Sequence, residues 1–290
     1  MGKTYIVYNP LSCSGCGKEN AEKAAGFYKA EEVVYKDICG TDYSKIFAET
    51  APEDIVVICG GDGTLNHFVN ETKNIAFENS IYYYATGTGN DFLRDIDGVQ
   101  GEKPICIDKY IKNLPSVKVQ GKDYLFLNNV GFGIDGYCCE VGDNMRAQNK
   151  EKISYTAIAI KGLLFHYKPA NATVIVDGKE YNFKKVWLAP TMNGKFYGGG
   201  MMPTPEQSRL DDEGKVSVML LHGTGKLRTL MIFPDLFKGE LGKYTKNNTV
   251  LTGKKITVRF DSPRAAQIDG ETVTGVTEYT VEAGVTAKIK

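Results

Sequence analysis

Along the first third of the chain, short apolar runs alternate with stretches that look helical. Residues 5–8, 33–35, 55–59 and 81–85 are strand-length runs rich in β-branched and aromatic side chains, and residues 18–30, 43–50 and 65–72 lie between them with helix-like composition. The alternation predicts right-handed βαβ crossovers and a mostly parallel sheet, with ligands at the C-terminal ends of its strands. After residue 115 the texture changes. Runs at 116–119, 124–130, 172–176, 185–190, 215–221, 255–260, 265–268 and 278–281 are parted by Gly, Asn and Asp, with Asp177-Gly178 and Asp269-Gly270 as turn signals. One helical interlude, residues 153–165, breaks the series. The pattern predicts an N-terminal, mostly parallel α/β domain over residues 1–115 and a C-terminal antiparallel β-sandwich or barrel domain over residues 116–290.

Composition narrows the class. The 290 residues are 42% hydrophobic and 24% charged, which excludes a disordered chain and fits two cores better than one. No run approaches the roughly 20 apolar residues of a membrane-spanning helix. The N-terminus has no signal-peptide core and seven cysteines lack a disulfide-type spacing, so the expected location is the cytoplasm. Cys13-x-x-Cys16 has no second pair, and the chain holds only three histidines, so neither a redox nor a zinc centre is predicted. The zero formal charge hides an asymmetry: residues 1–115 hold 11 basic and 17 acidic side chains, the remainder 24 and 18. A basic second half suits contact with an anionic phospholipid surface, whereas no aromatic-basic RNA motif is present and no nucleic-acid partner is expected.

Three loops, each directly after a predicted strand, carry the chemistry. The first runs from Asn9 and Pro10 through Ser12, Ser14, Gly15 and Gly17 to Lys18; its small residues admit an anion to the backbone, a helix opens behind it, and Lys18 adds a cation. The second, Gly60-Gly61-Asp62-Gly63-Thr64, surrounds one carboxylate with three glycines, so a phosphate can lie on the backbone while Asp62 reaches a magnesium ion or its water. A strand-to-helix turn capped by Thr64 explains fewer of these residues. The third, Thr86-Gly87-Thr88-Gly89-Asn90-Asp91, repeats glycines, hydroxyls and an acid at a strand end. Two acidic loops and one lysine-bearing loop at one sheet edge predict a polyphosphate with its metal. Gly131-Phe132-Gly133-Ile134-Asp135-Gly136 fits G-x-G-x-x-G, but no long apolar helix or second parallel strand is expected after it, which argues against a dinucleotide site. No P-loop, G-x-S-x-G or kinase H-R-D motif occurs.

These loops, with Gln267-Ile268-Asp269-Gly270-Glu271 near the C-terminus, resemble the diacylglycerol kinase catalytic-domain family, the soluble bacterial lipid kinases related to sphingosine kinases. The resemblance spans nearly the whole chain and implies a nucleotide-binding α/β domain and a β-sandwich with the active site in the cleft between them. It implies ATP phosphates on the Asn9–Gly17 loop and on Gly60, Gly61, Gly63 and Thr64, with Thr88, Gly89 and Asn90 nearby. Asp62, Asp91 and Asp108 are implied to arrange catalytic magnesium, Asp212 or Glu213 to serve a structural magnesium site, and Glu271 to act as general base. Such a protein is a cytoplasmic kinase that meets its lipid substrate, diacylglycerol first, at the inner face of the membrane. The residues 153–165 supply an apolar stripe that would line an acyl-chain pocket or pack as ordinary core. His67 departs from the family's usual glutamate, Asp37 from its threonine, and Lys109 from the glycine expected after Asp108. A kinase of a soluble polyol or NAD-like acceptor, and a nucleotide-binding regulator without turnover, are the alternative readings.

Overall fold

The computed structural model describes residues 2–39, 42–148 and 154–284, and of residues 13 and 14 the backbone. The chain divides into two compact units, Met1–Leu114 and Pro115–Val285.

In the first unit, strands β1 (Thr4–Tyr8), β2 (Val33–Asp37), β3 (Ile55–Gly60), β4 (Ser80–Ala85) and β5 (Ile105–Cys106) alternate with helices α1 (Gly17–Ala25), α2 (Tyr43–Glu49), α3 (Asp62–Thr72), α4 (Asp91–Asp95) and α5 (Asp108–Ile111). The sheet order is β2-β1-β3-β4-β5, parallel except for β5, which runs antiparallel to β4. Ile6, Val57 and Cys59 are sealed beneath Ala21, Ala24 and Ala25 of α1, whose small side chains let the helix sit close to the sheet. Register then aligns the loops. Tyr8 lies opposite both Asp37 and Cys59, and Gly60 lies opposite Ala85, so the chain leaves β1, β2, β3 and β4 at one rim.

The second unit is antiparallel. Its strands are β6 (Ser116–Val119), β7 (Lys122–Leu125), β8 (Asn129–Gly133), β9 (Ala170–Val176), β10 (Lys179–Val186), β11 (Leu188–Met192), β12 (Val216–Leu221), β13 (Asn248–Gly253), β14 (Lys255–Ile268) and β15 (Glu271–Glu282). The order is β13-β12-β11-β8-β14-β15-β6-β7, with β10 and β9 joining through β14. The long strand β14 serves two neighbours on one edge: residues 256–260 pair with β9 and residues 266–268 with β8, the pairing with β15 shifting register between them. One core therefore forms inside the curved sheet, centred on Phe132, Phe260 and Tyr279. Helices α6 (Ile134–Ala147), α7 (Tyr155–Lys161, continued by a π-helical turn Gly162–His166) and α8 (Lys226–Leu236) enclose a second cluster around Leu163, Trp187, Met219 and Leu236.

The two fold classes are those the sequence pattern predicts, and several elements differ. Residues 124–130 form parts of two strands, because the chain turns at 126–128 between β7 and β8. Residues 255–260 and 265–268 are one strand, β14. Helix α6 begins within Gly131–Gly136, at Ile134, and is not an apolar helix; β8 pairs antiparallel with β11 and β14, so no parallel βαβ unit exists there. Ile153 lies outside the described residues. No helix among the described residues is long and apolar enough to cross a membrane.

Candidate active site

The rim of the first sheet is assembled by close backbone approaches. At Gly17 a Cβ would stand 1.9 Å from the Asn9 carbonyl oxygen, so only glycine lets α1 start against the loop after β1. The Asn9 side chain accepts from the Leu11 N–H at 2.9 Å, and the Asn9 carbonyl accepts from the Ser12 hydroxyl at 2.7 Å, folding residues 9–12 into a tight turn. Gly60 presses on the Thr64 side chain, where a Cβ would come within 2.4 Å. Thr64 is thus inside α3 and packs the turn; the helix begins at Asp62, capped by Gly61. Gly61 and Gly87 meet backbone to backbone, and the Thr86 N–H donates to the Gly60 carbonyl at 2.9 Å. Gly63 differs. It is exposed, with nothing within 4 Å of a built Cβ, so the fold does not require a glycine there.

This contact couples the two acids. The Asp62 Oδ2 accepts from the Asp91 backbone N–H at 2.8 Å, and the buried Asp91 carboxylate is 3.3 Å from the Arg94 guanidinium. Asn90 makes the turn possible by taking a left-handed conformation, φ 47°, while its amide donates to the Gly87 carbonyl at 2.7 Å. Thr88 is exposed on the loop, and Lys18 is exposed at the start of α1. Asp37, at the end of β2, accepts from the Cys39 N–H at 2.7 Å and brings the Cys39 thiol to 3.5 Å from the Asn9 side chain. The donor set fits magnesium held in its usual manner. The Asp62 carboxylate meets the Asp91 backbone at this rim, and magnesium is commonly bound by one or two carboxylates completed with phosphate oxygens and water.

Asp108 is not part of this group. Its carboxylate accepts from the Ile81 N–H at 2.7 Å, next to the start of β4, whereas Asp91 follows the end of that strand. The cause is the direction of β5: the strand is antiparallel, so the residue after it emerges at the opposite edge of the sheet from Asp62. Of the three acids the resemblance implies for magnesium, the structure brings Asp62 and Asp91 together and leaves Asp108 apart.

In the second unit, Glu271 follows the β14–β15 hairpin turn. Asp269 and Gly270 both take positive φ, 47° and 94°, as a two-residue hairpin turn demands. Asp269 does more than turn. Its carboxylate accepts from three consecutive backbone N–H groups, those of Leu127, Asn128 and Asn129, at 2.5, 2.7 and 2.9 Å. The Gly270 N–H donates to the Gln267 side chain at 2.8 Å, and the other end of that amide reaches Asp135 at 3.4 Å. Asp135 is buried, and burial pushes its carboxyl up to about 6. After Glu271, the Thr272 hydroxyl donates to Asp143 at 2.6 Å, and Asp143 pairs with Arg146. Arg209 and Asn193 complete the 127–129 loop: Arg209 donates to the Leu127 carbonyl and the Asn128 side chain, and Asn193 to the Leu127 carbonyl at 2.9 Å. Neither residue stands out in the sequence, because nothing near 193 or 209 marks a partner some 70 residues away.

The remaining sequence-derived sites fare differently. In the 208–215 turn, Asp211 accepts from the Glu213 and Lys215 N–H groups, and the Glu213 carboxylate pairs with the Lys215 ammonium at 2.8 Å. Asp212 is exposed. A lysine thus pairs with Glu213, one of the two acids that the resemblance implies for structural magnesium, and no group of three or more His, Cys, Asp or Glu side chains that could hold a metal forms among the described residues. Cys16 is free and exposed; the side chain of Cys13 lies outside the described residues.

Comparison with known proteins agrees with this layout. Residues 3–118 match the diacylglycerol kinase catalytic domain, and residues 128–285 match the YegS C-terminal NAD kinase beta sandwich-like domain. The chain is 25% identical over 276 residues to the diacylglycerol kinase of Mycobacterium tuberculosis, spanning 91% of this chain and 86% of the relative. Two crystal structures from Bacillus anthracis share its fold. One has a TM-score of 0.68 at 19% identity, covering 97% of this chain and 91% of the other. The second, titled a diacylglycerol kinase, has a TM-score of 0.62 at 17% identity, with 97% and 94% covered. The chain belongs to the diacylglycerol kinase catalytic-domain family, a family of phosphotransferases, and joins that domain to a YegS-type β-sandwich-like domain.

Proposed function

We propose that the protein is an ATP- and magnesium-dependent lipid kinase that transfers the γ-phosphoryl group of ATP to a lipid hydroxyl, diacylglycerol being the first candidate. The observation that carries the reading is the pairing of Asp62 with the Asp91 backbone across two glycine-lined turns at one rim. Gly63 supports it: a glycine the fold does not need is explained by a phosphate lying against the backbone.

In this reading the ATP phosphates rest on the 9–17 turn and on residues 60–64, with their N–H groups as donors. Asp62 and Asp91 would hold magnesium, which supplies neutralisation of the phosphate charge. Glu271 accepts the hydroxyl proton as the substrate oxygen attacks the γ-phosphorus, the bond to the β-phosphate oxygen breaks, and ADP leaves. The anchoring of the 269–270 turn gives Glu271 a fixed backbone position, which proton transfer at hydrogen-bond range demands.

The test is transfer of labelled phosphate from ATP to a panel of extracted lipids, with identification of the product. Asp62→Asn and Glu271→Gln are expected to lose about a thousandfold or more in turnover while keeping their thermal unfolding midpoints. Normal turnover in both variants, or labelling of a water-soluble acceptor in place of lipid, overturns the reading.

A further inference from the structure

Helix α8 is apolar on the side that should be polar. Thr229, Ile232, Phe233 and Leu236 face the second core, as expected of a surface helix. On the opposite side Leu227 is 73% exposed and Met231 78% exposed, with Pro234 exposed one further turn along, a spacing of i, i+4, i+7. The neighbouring π-helical turn adds Phe165, 71% exposed. Both elements belong to one surface, because the Lys226 ammonium donates to the Leu164 carbonyl at 3.0 Å. A helix apolar all round is ordinarily buried on every side, and bare large side chains clustered this way mark an interaction site.

The charge around the cluster identifies its partner. Residues 155–168 contain no acidic side chain, and residues 226–238 contain only Asp235, which is buried and held by Tyr244, Lys238 and Lys243. Lys161, Lys226 and Arg228 stand exposed at its border. A second copy of the chain is a poor occupant, because a two-fold contact sets the same patch against itself and lysine against lysine. A bilayer with anionic headgroups satisfies both parts: apolar side chains enter the acyl boundary while the cations remain among the headgroups.

We propose that Phe165, Leu227, Met231 and Pro234 form the face by which the protein lies on an anionic phospholipid bilayer. The proposal rests on the lipid-kinase reading for its purpose, since a lipid acceptor resides in such a bilayer, and its test does not depend on turnover. Purified full-length chain is sedimented with vesicles of phosphatidylglycerol in phosphatidylcholine and with vesicles of phosphatidylcholine alone. Wild type is expected to bind the anionic vesicles, more weakly as salt rises. The pair Leu227→Glu with Met231→Glu is expected to weaken binding about tenfold or more. Lys161→Glu with Arg228→Glu is expected to abolish the preference for anionic vesicles, and Val99→Glu, a bare apolar position in the first unit, to leave binding unchanged. Undiminished binding by the Leu227/Met231 pair overturns the proposal whatever the kinase activity. So does a wild-type dimer in sedimentation that this pair dissociates without any change in vesicle binding. Vesicle binding lost in the pair but no lipid phosphorylation by wild type upholds the docking face and removes the kinase reading alone.

Discussion

The rim around Asp62 and the turn around Glu271 are built by opposite means. The rim is made by close approaches at glycine: Gly17 against the Asn9 backbone, Gly60 against the Thr64 side chain, Gly61 against the Gly87 backbone. Each contact needs the absence of a side chain, and Gly60, Gly61 and Gly87 sit within a few residues of the acids they position. The turn is made of side-chain ties that run far along the sequence, from Asp269 to residues 127–129 and from Gln267 to Asp135. A site built from backbone proximity announces itself as a motif. A site held by distant side chains shows locally only an Asp-Gly pair, the mark of any hairpin.

The largest test of that difference is Asp269→Ala. It leaves three N–H groups of the 127–129 loop without their acceptor, at about 1–3 kcal/mol each where water is excluded. A loss of about 4 kcal/mol in urea unfolding is expected, with turnover falling although Asp269 has no assigned chemical role. Asp269→Asn keeps the left-handed turn and one acceptor oxygen, and should lose less than half as much. If alanine proves as stable as wild type, the ties are incidental and the contrast between the two regions disappears.

Next in size is the contribution of Asp135. Burial raises its folded carboxyl to about 6 from 3.8, so between about pH 4 and pH 6 the folded chain keeps a proton the unfolded chain has released. Stability from this group is therefore full below pH 4 and is lost as pH rises to 6, a difference of about 3 kcal/mol. Asp135→Asn cannot titrate. Unfolding curves of wild type and variant, measured at intervals across this range, should diverge in the variant's favour as pH rises. Parallel curves mean that Asp135 titrates as an ordinary exposed acid and that the network beneath Glu271 is open to water.

How much the sequence disclosed follows the same division. The βαβ order of the first unit and its three loops were legible, because strand runs, helix spacing and glycines are local signals. Helix α8 was not, since apolar residues on both sides leave no stripe to read. Strand β14 looked like two because Ser262-Pro263 interrupts its apolar run, while β7 and β8 looked like one because Phe126-Leu127 continues it. Asp108 misled for a subtler reason. The family resemblance groups it with Asp62 and Asp91, but whether the short strand before it enters the sheet parallel or antiparallel is not visible in the sequence, and the direction decides which edge the acid reaches.

The glycines within the Asp62 loop sharpen the contrast at smaller scale. Gly60→Ala drives a Cβ into Thr64, and a loss of about 2 kcal/mol is expected. Gly63→Ala meets open space near the start of α3 and should gain up to about 1 kcal/mol from helix propensity. Its cost belongs to function: the KM for ATP should rise while the unfolding midpoint holds or climbs. A Gly63→Ala enzyme with unaltered ATP kinetics would mean that the phosphates do not approach that backbone.

The smallest effect is reserved for Asp108→Asn, and its smallness is the point. The side chain caps the Ile81 N–H at the far edge of the sheet, and an asparagine oxygen accepts the same bond with only its charge lost. A stability change under about 1 kcal/mol is expected, with turnover within about twofold of wild type, because the proposed function puts phosphates and metal at the opposite edge. Asp91→Asn, one strand-length away, keeps the backbone N–H that Asp62 accepts but removes the carboxylate, and should lose activity by orders of magnitude more. Comparable losses in the two variants would return Asp108 to the metal site, and would require β5 to leave the sheet at the opposite edge from the one its antiparallel pairing with Tyr82 and Tyr83 dictates.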